Sequence, residues 1–391
     1  MLLDPNIENV GIKVCTKCIY DERVSSINFD GDGVCNYCHQ IEMLKNQYGT
    51  GTNRGYIKLE NYIKEMRKHG RNKPYDCIIG VSGGTDSSYL IHLAKKWRLR
   101  PLAVHYDNTW NSAIATTNIQ KILSILDVDL HTHVVKNTEI DDILCSFFLA
   151  GVAELDAHTD LGYAFLLRQV AAKYGIRYIL EGHSFVAEGI TPLGRNYFDG
   201  RYIKSIHQQF GVLKMETYPL MTFWRFLKSA LFNQIKFIRP FWYIKYSKKN
   251  AQKILSDKYN WKYYGGHHLE NRITNFAHSI YLPQKFNCDM RNNTLSARVR
   301  NGELSRTGAW AEYNTPPLIE DDLITYFKKR LNLCDKQYEE IMKALPKNWT
   351  EYPTYKKRFE RMRPLFHILA KANLVPMSFY LKYCFPSKSD L

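Results

Sequence analysis

The stretch Tyr75-Asp76-Cys77-Ile78-Ile79-Gly80-Val81-Ser82-Gly83-Gly84-Thr85-Asp86-Ser87 indicates a buried strand, a glycine-rich turn and the start of a helix. The apolar run over 75–81 follows Pro74 and ends at glycines, as strands of a parallel sheet do. Glycines let backbone N–H groups approach an anion, and a helix N-terminus adds positive potential. The stretch therefore predicts a phosphate-binding loop over 82–87.

The residues after this loop alternate between strand and helix patterns. Strands are predicted at 101–106, 130–135 and 178–180, and helices at about 113–126, 140–150 and 161–174. This alternation predicts an α/β fold with a doubly wound parallel sheet. Ligands of such sheets bind outside the carboxyl ends of the strands. Nucleotide contacts are therefore expected from the residues that follow the strands at 101–106 and 178–180, namely Asp107, Asn108, Gly182 and His183.

Four cysteines near the start form two tight pairs, Cys15-x2-Cys18 and Cys35-x2-Cys38. Two such knuckles complete a tetrahedral sulfur shell, so the spacing predicts a structural Zn²⁺ site. An iron–sulfur cluster is the competing occupant, because four thiolates also suit that chemistry. A full thiolate shell leaves no open coordination position, which argues for a scaffolding role.

The net charge of +16 is concentrated in one part of the chain. Residues 221–264 contain ten basic residues and one acidic residue, interleaved with aromatics, and so carry +9. This basic aromatic stretch suits RNA phosphates, an anionic membrane surface or an acidic partner, or is a helical face with solvated lysines. Residues 1–14 lack the apolar core of a signal peptide, and no apolar run is long enough to span a bilayer, so a cytoplasmic protein is expected.

The loop resembles the S-G-G-x-D-S signature of the PP-loop ATP pyrophosphatases, and it matches neither the Walker A nor the dinucleotide pattern. This resemblance implies ATP cleavage between the α and β phosphates. It assigns ATP and Mg²⁺ to the loop residues Ser82, Gly83, Gly84, Thr85, Asp86 and Ser87, with Asp86 in a catalytic role.

Nearly the whole chain resembles the bacterial N-acetyl sugar amidotransferases of surface-polysaccharide and lipopolysaccharide O-antigen biosynthesis. The likeness lies in residues 15–21, 33–38, 75–84, 101–108, 158–160, 202–207 and 264–270. It implies adenylation of the acetamido oxygen of a nucleotide-linked N-acetyl sugar, followed by replacement with ammonia nitrogen. Ammonia would come from a partner, a glutaminase pair similar to imidazole glycerol phosphate synthase.

The resemblance also implies roles for several single residues, and some of these residues have a simpler structural interpretation as well. Asp160 is expected to bind magnesium or orient the acetamide, or to cap the helix that opens at Leu161. Lys204 and His207, one helical turn apart, are expected to bind sugar-nucleotide phosphate or to form a solvated basic face. His268 and Glu270 are assigned to the substrate. Thr85 stands where many relatives have lysine, so phosphate neutralisation is expected from Arg168 or Lys204.

Three regions are predicted: a zinc-ribbon segment over 1–55, a PP-loop domain over 56–220, and a basic, aromatic, mostly helical substrate or partner region over 221–391. The main alternative function is a tRNA thiolase with a zinc ribbon, which the basic stretch favours. Isolated Cys77, Cys145 and Cys288 count against that alternative, and nucleic acid is not expected as a partner. A non-enzymatic nucleotide-binding regulator is the third candidate. Peripheral membrane contact through the basic aromatic stretch stays open.

Overall fold

The computed structural model describes residues 12–190, 197–266, 269–317, 319–372 and 374–386. One parallel sheet lies at its centre, with strand order β3-β2-β1-β4-β5. The order reverses between β1 and β4, which defines a doubly wound sheet with its switch point there. The strands are β1 Cys77–Gly80, β2 Pro101–Asp107, β3 Leu130–Val134, β4 Tyr178–Leu180 and β5 Lys236–Ile238.

Helices cover both faces of the sheet and make up most of the chain after it. The described helices are α1 Asn36–Tyr48, α2 Asn53–Gly70, α3 Thr85–Lys96, α4 Ala113–Leu126, α5 Asn137–Ala150, α6 Ala157–Lys173, α7 Gly200–Phe210, α8 Phe223–Phe232, α9 Lys248–Tyr259, α10 Arg272–Phe276, α11 Leu282–Phe286, α12 Arg291–Arg300, α13 Arg306–Asn314, α14 Leu323–Arg330, α15 Asp335–Lys343, α16 Lys356–Arg361, α17 Arg363–Lys371 and α18 Met377–Tyr383. A π-helical turn, Ala277–Tyr281, joins α10 to α11.

The two faces of the sheet carry separate apolar cores because successive strand residues point in opposite directions. Ile78 of β1 packs with Phe147 of α5 and Leu166 of α6 on one face. Ile79, the next residue, packs with Leu90 of α3 and Ile119 of α4 on the other. This arrangement, together with the cysteine ribbon and the helical C-terminal region, confirms the predicted fold class.

The basic aromatic stretch has no single structural role. Its β5 pairs with β4, so the sheet extends beyond residue 220, and its α9 packs against the face that holds α3. Its α8 packs with α16 to α18 through Phe226 but leaves Trp224 and Phe232 largely exposed. In the part of the chain that the structure describes, every helix is too short or too polar to cross a bilayer.

Candidate functional site

The predicted phosphate-binding loop lies between β1 and α3, at the switch point of the sheet. Gly83 has a φ of +79°, and a Cβ atom there would lie 2.3 Å from the carbonyl oxygen of Ala115. The Gly83 carbonyl accepts hydrogen bonds from Trp261 Nε1 at 3.1 Å and from Asn118 Nδ2 at 3.4 Å. The loop is therefore held from behind by α4 and by the segment after α9, which fixes its position at the start of α3.

A substitution of Gly83 by alanine is expected to abolish ATP binding, because the added methyl would displace the loop from Ala115. Positive φ alone costs an alanine about 1 kcal/mol. Gly302→Ala is the matched control, since Gly302 has a φ of +73° and no atom within 4 Å of its Cβ position. Equilibrium binding of a nonhydrolysable ATP analogue measures both variants, and equal binding by the two would contradict the prediction.

A buried group of charges lies at the first turn of α3. Lys248 Nζ, at the start of α9, is 2.8 Å from Asp86 Oδ2 and 3.9 Å from Glu188 Oε1. The hydroxyl of Tyr246 donates to Asp86 Oδ1. Burial opposes charge on both partners, but the ion pair outweighs it, so the pKa of Asp86 is lowered and that of Lys248 is raised. Both groups are therefore charged at neutral pH.

Arg168 and Lys204, the expected sources of positive charge at the loop, lie in different environments, and their role stays a prediction. Arg168 is buried and stacks 4.6 Å from the ring centroid of Phe237. Burial lowers the pKa of Arg168 to about 10. Lys204 is exposed on α7. The structure brings a further cation, Lys248, to the first turn of α3, although the sequence had shown it only as part of the basic aromatic stretch.

Glu270 lies 188 residues after Ser82 in the chain and contacts the loop. It is 6% exposed, and its Oε1 accepts a hydrogen bond from Ser82 Oγ at 3.2 Å. Ser82 Oγ also accepts from Gly84 N, while Ser87 Oγ donates to the Gly84 carbonyl. Thr85 is fully buried, and its N–H donates to the Tyr264 hydroxyl at 3.3 Å. The side chain of Thr85 therefore faces the protein interior.

The carboxyl ends of β2 and β4 border the same cleft, but their polar residues are mostly used within the protein. Asp107 Oδ1 accepts from Thr109 N at 2.7 Å, and Asn108 is 1% exposed. A Cβ atom on Gly182 would lie 3.1 Å from the Asp86 carbonyl carbon, so Gly182 lets β4 approach the loop closely. His183 stays half-exposed, with Nδ1 accepting from Trp242 Nε1 at 3.2 Å.

Two predictions about α6 and α7 need correction. Helix α6 begins at Ala157 with Asp156 at its N-cap, so Asp160 does not cap it and lies exposed in the first turn. Thr159, its neighbour, accepts a hydrogen bond from Asn108 Nδ2, which places this turn at the carboxyl edge of β2. His207 is buried and lies 2.8 Å from Asp142 of α5, so it does not form a solvated face with Lys204. His268, and His267 beside it, lie outside the described residues.

The four paired cysteines converge on one point. Their sulfur atoms all lie within 4.8 Å of one another, with Cys15 and Cys38 at 3.8 Å and Cys18 and Cys35 at 3.9 Å. Four sulfurs at about 2.3 Å from one zinc ion in a tetrahedron lie about 3.8 Å apart, so the buried thiols fit a single ion. A cluster spreads its ligands over several iron atoms, which the short sulfur–sulfur distances do not favour.

The cysteine ribbon is docked on helices α12 and α13. Arg300 donates to Cys38 Sγ at 3.3 Å and to Cys18 Sγ at 3.5 Å, and its guanidinium stacks on Tyr20 at 4.6 Å. Tyr20 in turn donates to Asn293 Oδ1 at 2.6 Å. The Arg300 cation offsets the negative charge that four thiolates leave on a bound divalent ion. The ribbon therefore packs directly against helices of the C-terminal region.

The structure contains a cavity of about 1360 Å³. Its lining includes the ribbon at Tyr20, the start of α9 at Lys248 and Lys249, helices α11 to α13, and residues 153–154, 263–266 and 347–349. Because Lys248 also pairs with Asp86, one end of the cavity adjoins the first turn of α3.

Residues 270–365 match the family model described as the C-terminal domain of WbpG-like LPS biosynthesis proteins. Residues 270–365 therefore form a WbpG-like region. This WbpG-like region starts at Glu270, the residue that enters the loop, and includes Arg300, which contacts the cysteines. Comparison with the curated proteins gave no match.

Solved structures with partial likeness include the U34-tRNA thiolase NcsA of Methanococcus maripaludis with its [4Fe-4S] cluster, at 13% identity and a TM-score of 0.33 over 83% of this chain and 89% of that one. The NH3-dependent NAD synthetase of Campylobacter jejuni has 13% identity and a TM-score of 0.31 over 73% of this chain and 95% of that one. The NMN synthetase of Francisella tularensis has 11% identity and a TM-score of 0.30 over 74% and 97%. Likeness at this level carries no functional information.

Proposed function

We propose that this protein is an ATP-dependent amidotransferase of surface-polysaccharide biosynthesis that works in the cytoplasm. It adenylates the acetamido oxygen of a nucleotide-linked N-acetyl sugar and replaces that oxygen with ammonia nitrogen, forming an acetamidino sugar. The observation that carries the proposal is the Ser82–Ser87 loop at the sheet's switch point, joined by Glu270 of the WbpG-like region. A phosphate-binding loop and a polysaccharide-biosynthesis domain thus share one site.

The first step forms an O-adenylate. The acetamide oxygen attacks the α phosphorus of ATP, the bond to the bridging oxygen breaks, and pyrophosphate leaves. The N-terminus of α3 would stabilise the charge that develops on pyrophosphate. The Lys248 ammonium lies beside it, paired with Asp86, and a phosphate oxygen would share that cation.

The acetamide N–H must lose its proton as the adenylate forms, because the product is an imidate. Glu270 is the buried carboxylate at the loop, 3.2 Å from Ser82 Oγ, and would accept that proton at Oε1. Ammonia then attacks the imidate carbon with its lone pair. AMP leaves with the former acetamide oxygen, and the amidine remains on the sugar.

Magnesium would offset the charge of the ATP phosphates in this reaction. Asp86 is a poor ligand for it, because Lys248 and Tyr246 already engage both carboxylate oxygens. Magnesium usually binds through substrate phosphates and one or two carboxylates. We assign this role to Asp160, which is exposed in the first turn of α6.

The ammonia source is proposed to be the glutaminase pair similar to imidazole glycerol phosphate synthase. The exposed face of α8, which carries Trp224 and Phe232, is one surface available for such a partner or for an anionic membrane.

The test is ATP consumption with products resolved, using magnesium, ammonium and a panel of UDP-linked acetamido sugars. Release of AMP and pyrophosphate that depends on sugar and ammonium, with an amidine product by mass spectrometry, is the expected result. Gly83→Ala protein provides the background for contaminating activity. AMP release that requires tRNA and a sulfur donor would support the thiolase instead, and ADP with phosphate would refute adenylation.

A further inference from the structure

We infer that the cavity between the cysteine ribbon and the WbpG-like region binds the nucleotide-linked sugar, with Lys249 and Arg298 holding its diphosphate. The inference rests on the proposed function, because that function requires a second substrate next to ATP. It goes further by assigning the substrate a site and two phosphate-binding residues.

The cavity has the right size and position. Its volume of about 1360 Å³ exceeds the roughly 300–1,000 Å³ of common small-molecule pockets, so it can hold a ligand with a nucleoside part and a sugar part. Lys248 lies on its wall and is bonded to Asp86 of the loop. A sugar at this end would therefore lie beside the phosphates of ATP.

Arg298 lines the same cavity as Lys248, Lys249 and Tyr263. Burial raises the pKa of Tyr263; the charges of Lys248 and Arg298 oppose that rise, and those of Glu312 and Glu270 add to it. Arg298 belongs to α12 of the WbpG-like region, and Lys248 belongs to α9. These two elements thus present positive charge to the same space.

Lys249 and Arg298 are also accessible to an anionic ligand. Lys249 is exposed on the cavity wall, and no ion-pair partner for it lies among the described residues. Arg298 binds Glu312 at 2.7 Å, but both side chains are about a third or more exposed, and such pairs contribute little. A diphosphate offers two adjacent anionic groups and can replace Glu312 on the guanidinium.

Aromatic side chains complete the match to a nucleotide. Tyr263 and Tyr313 line the cavity, and their rings suit stacking of a nucleobase. An isolated sugar or a free inorganic anion would use only part of this surface.

Titration calorimetry with UDP-N-acetylglucosamine tests the inference independently of turnover. Lys249→Ala and Arg298→Met are each expected to weaken its binding about tenfold or more, with binding of a nonhydrolysable ATP analogue unchanged. Lys253→Ala, an exposed lysine on the same helix, is expected to bind as the native protein does.

Glu312→Gln separates a ligand role of Arg298 from a structural one. It breaks the same ion pair as Arg298→Met but frees the guanidinium, so binding should be unchanged or tighter. Any of three results would overturn the inference. Glu312→Gln could weaken binding as much as Arg298→Met does, Lys249→Ala and Arg298→Met could both bind normally, or the native protein could fail to bind. If the native protein forms the amidine while both cation variants bind normally, the proposed function stands and this site assignment fails. The reverse result, weakened binding with no amidine under any condition, leaves the site and refutes the reaction.

Discussion

Lys248→Met is expected to lower AMP formation by about 10²–10³-fold, the usual effect of removing one group that stabilises transition-state charge. The ammonium lies 2.8 Å from Asp86 Oδ2 and also lines the cavity, so it stands between the ATP loop and the second substrate. Its raised pKa keeps it charged across the neutral pH range. Initial rates of pyrophosphate release at saturating ATP measure the effect.

Lost activity in this variant must be separated from lost stability. The Lys248 and Asp86 side chains are only 19% and 17% exposed, so removing the lysine leaves a nearly buried carboxylate at a cost of about 3–5 kcal/mol. The double variant Asp86→Asn/Lys248→Met removes both charges and should recover most of that stability without recovering activity. Lys253→Met controls for loss of a lysine from α9. A folded Lys248→Met protein with native rates would show that the loop does not depend on this cation.

The sheet and the loop could be predicted from the sequence because their signals are local. Helix α4 runs over Ala113–Leu126, as expected from its apolar spacing, and Ser112 caps it by accepting from Ala115 N. The strand and glycine turn over 75–87 were recognisable for the same reason. Each of these segments carries its own periodicity and its own boundary residues.

The rest of the site depends on residues far apart in the chain. Trp261 and Tyr264 hold the loop, yet in the sequence Trp261 is only an aromatic in a basic stretch, and Tyr264 is known only as the first residue of the 264–270 likeness. Charge counting identified Lys248 as positive but not as the partner of Asp86, because the pairing depends on α9 packing beside α3. The start of α6 was misplaced because Asp156 and Asp160 are both suitable N-cap residue types, and the residue type alone does not decide between them.

Cys35→Ser is expected to remove the bound metal and to loosen the WbpG-like region as well as the ribbon. A structural zinc site contributes about 10–16 kcal/mol in small peptides, so loss of one of four thiolates should unfold the ribbon. Arg300 and Arg306 would then lose acceptors on Cys18 and Cys38, which tie α12 and α13 to the ribbon.

Metal analysis should give one zinc per native chain and nearly none in the Cys35→Ser variant, and hydrogen exchange should quicken over 293–306. Cys334→Ser is the matched control, since Cys334 is an exposed free thiol outside the cluster. Visible absorbance with bound iron in the native protein would instead identify an iron–sulfur centre. Unchanged exchange over 293–306 in metal-free protein would show that α12 and α13 hold their places without the ribbon. In that case Arg300 would be an accessory contact, and the cavity wall that carries Arg298 would not depend on the metal.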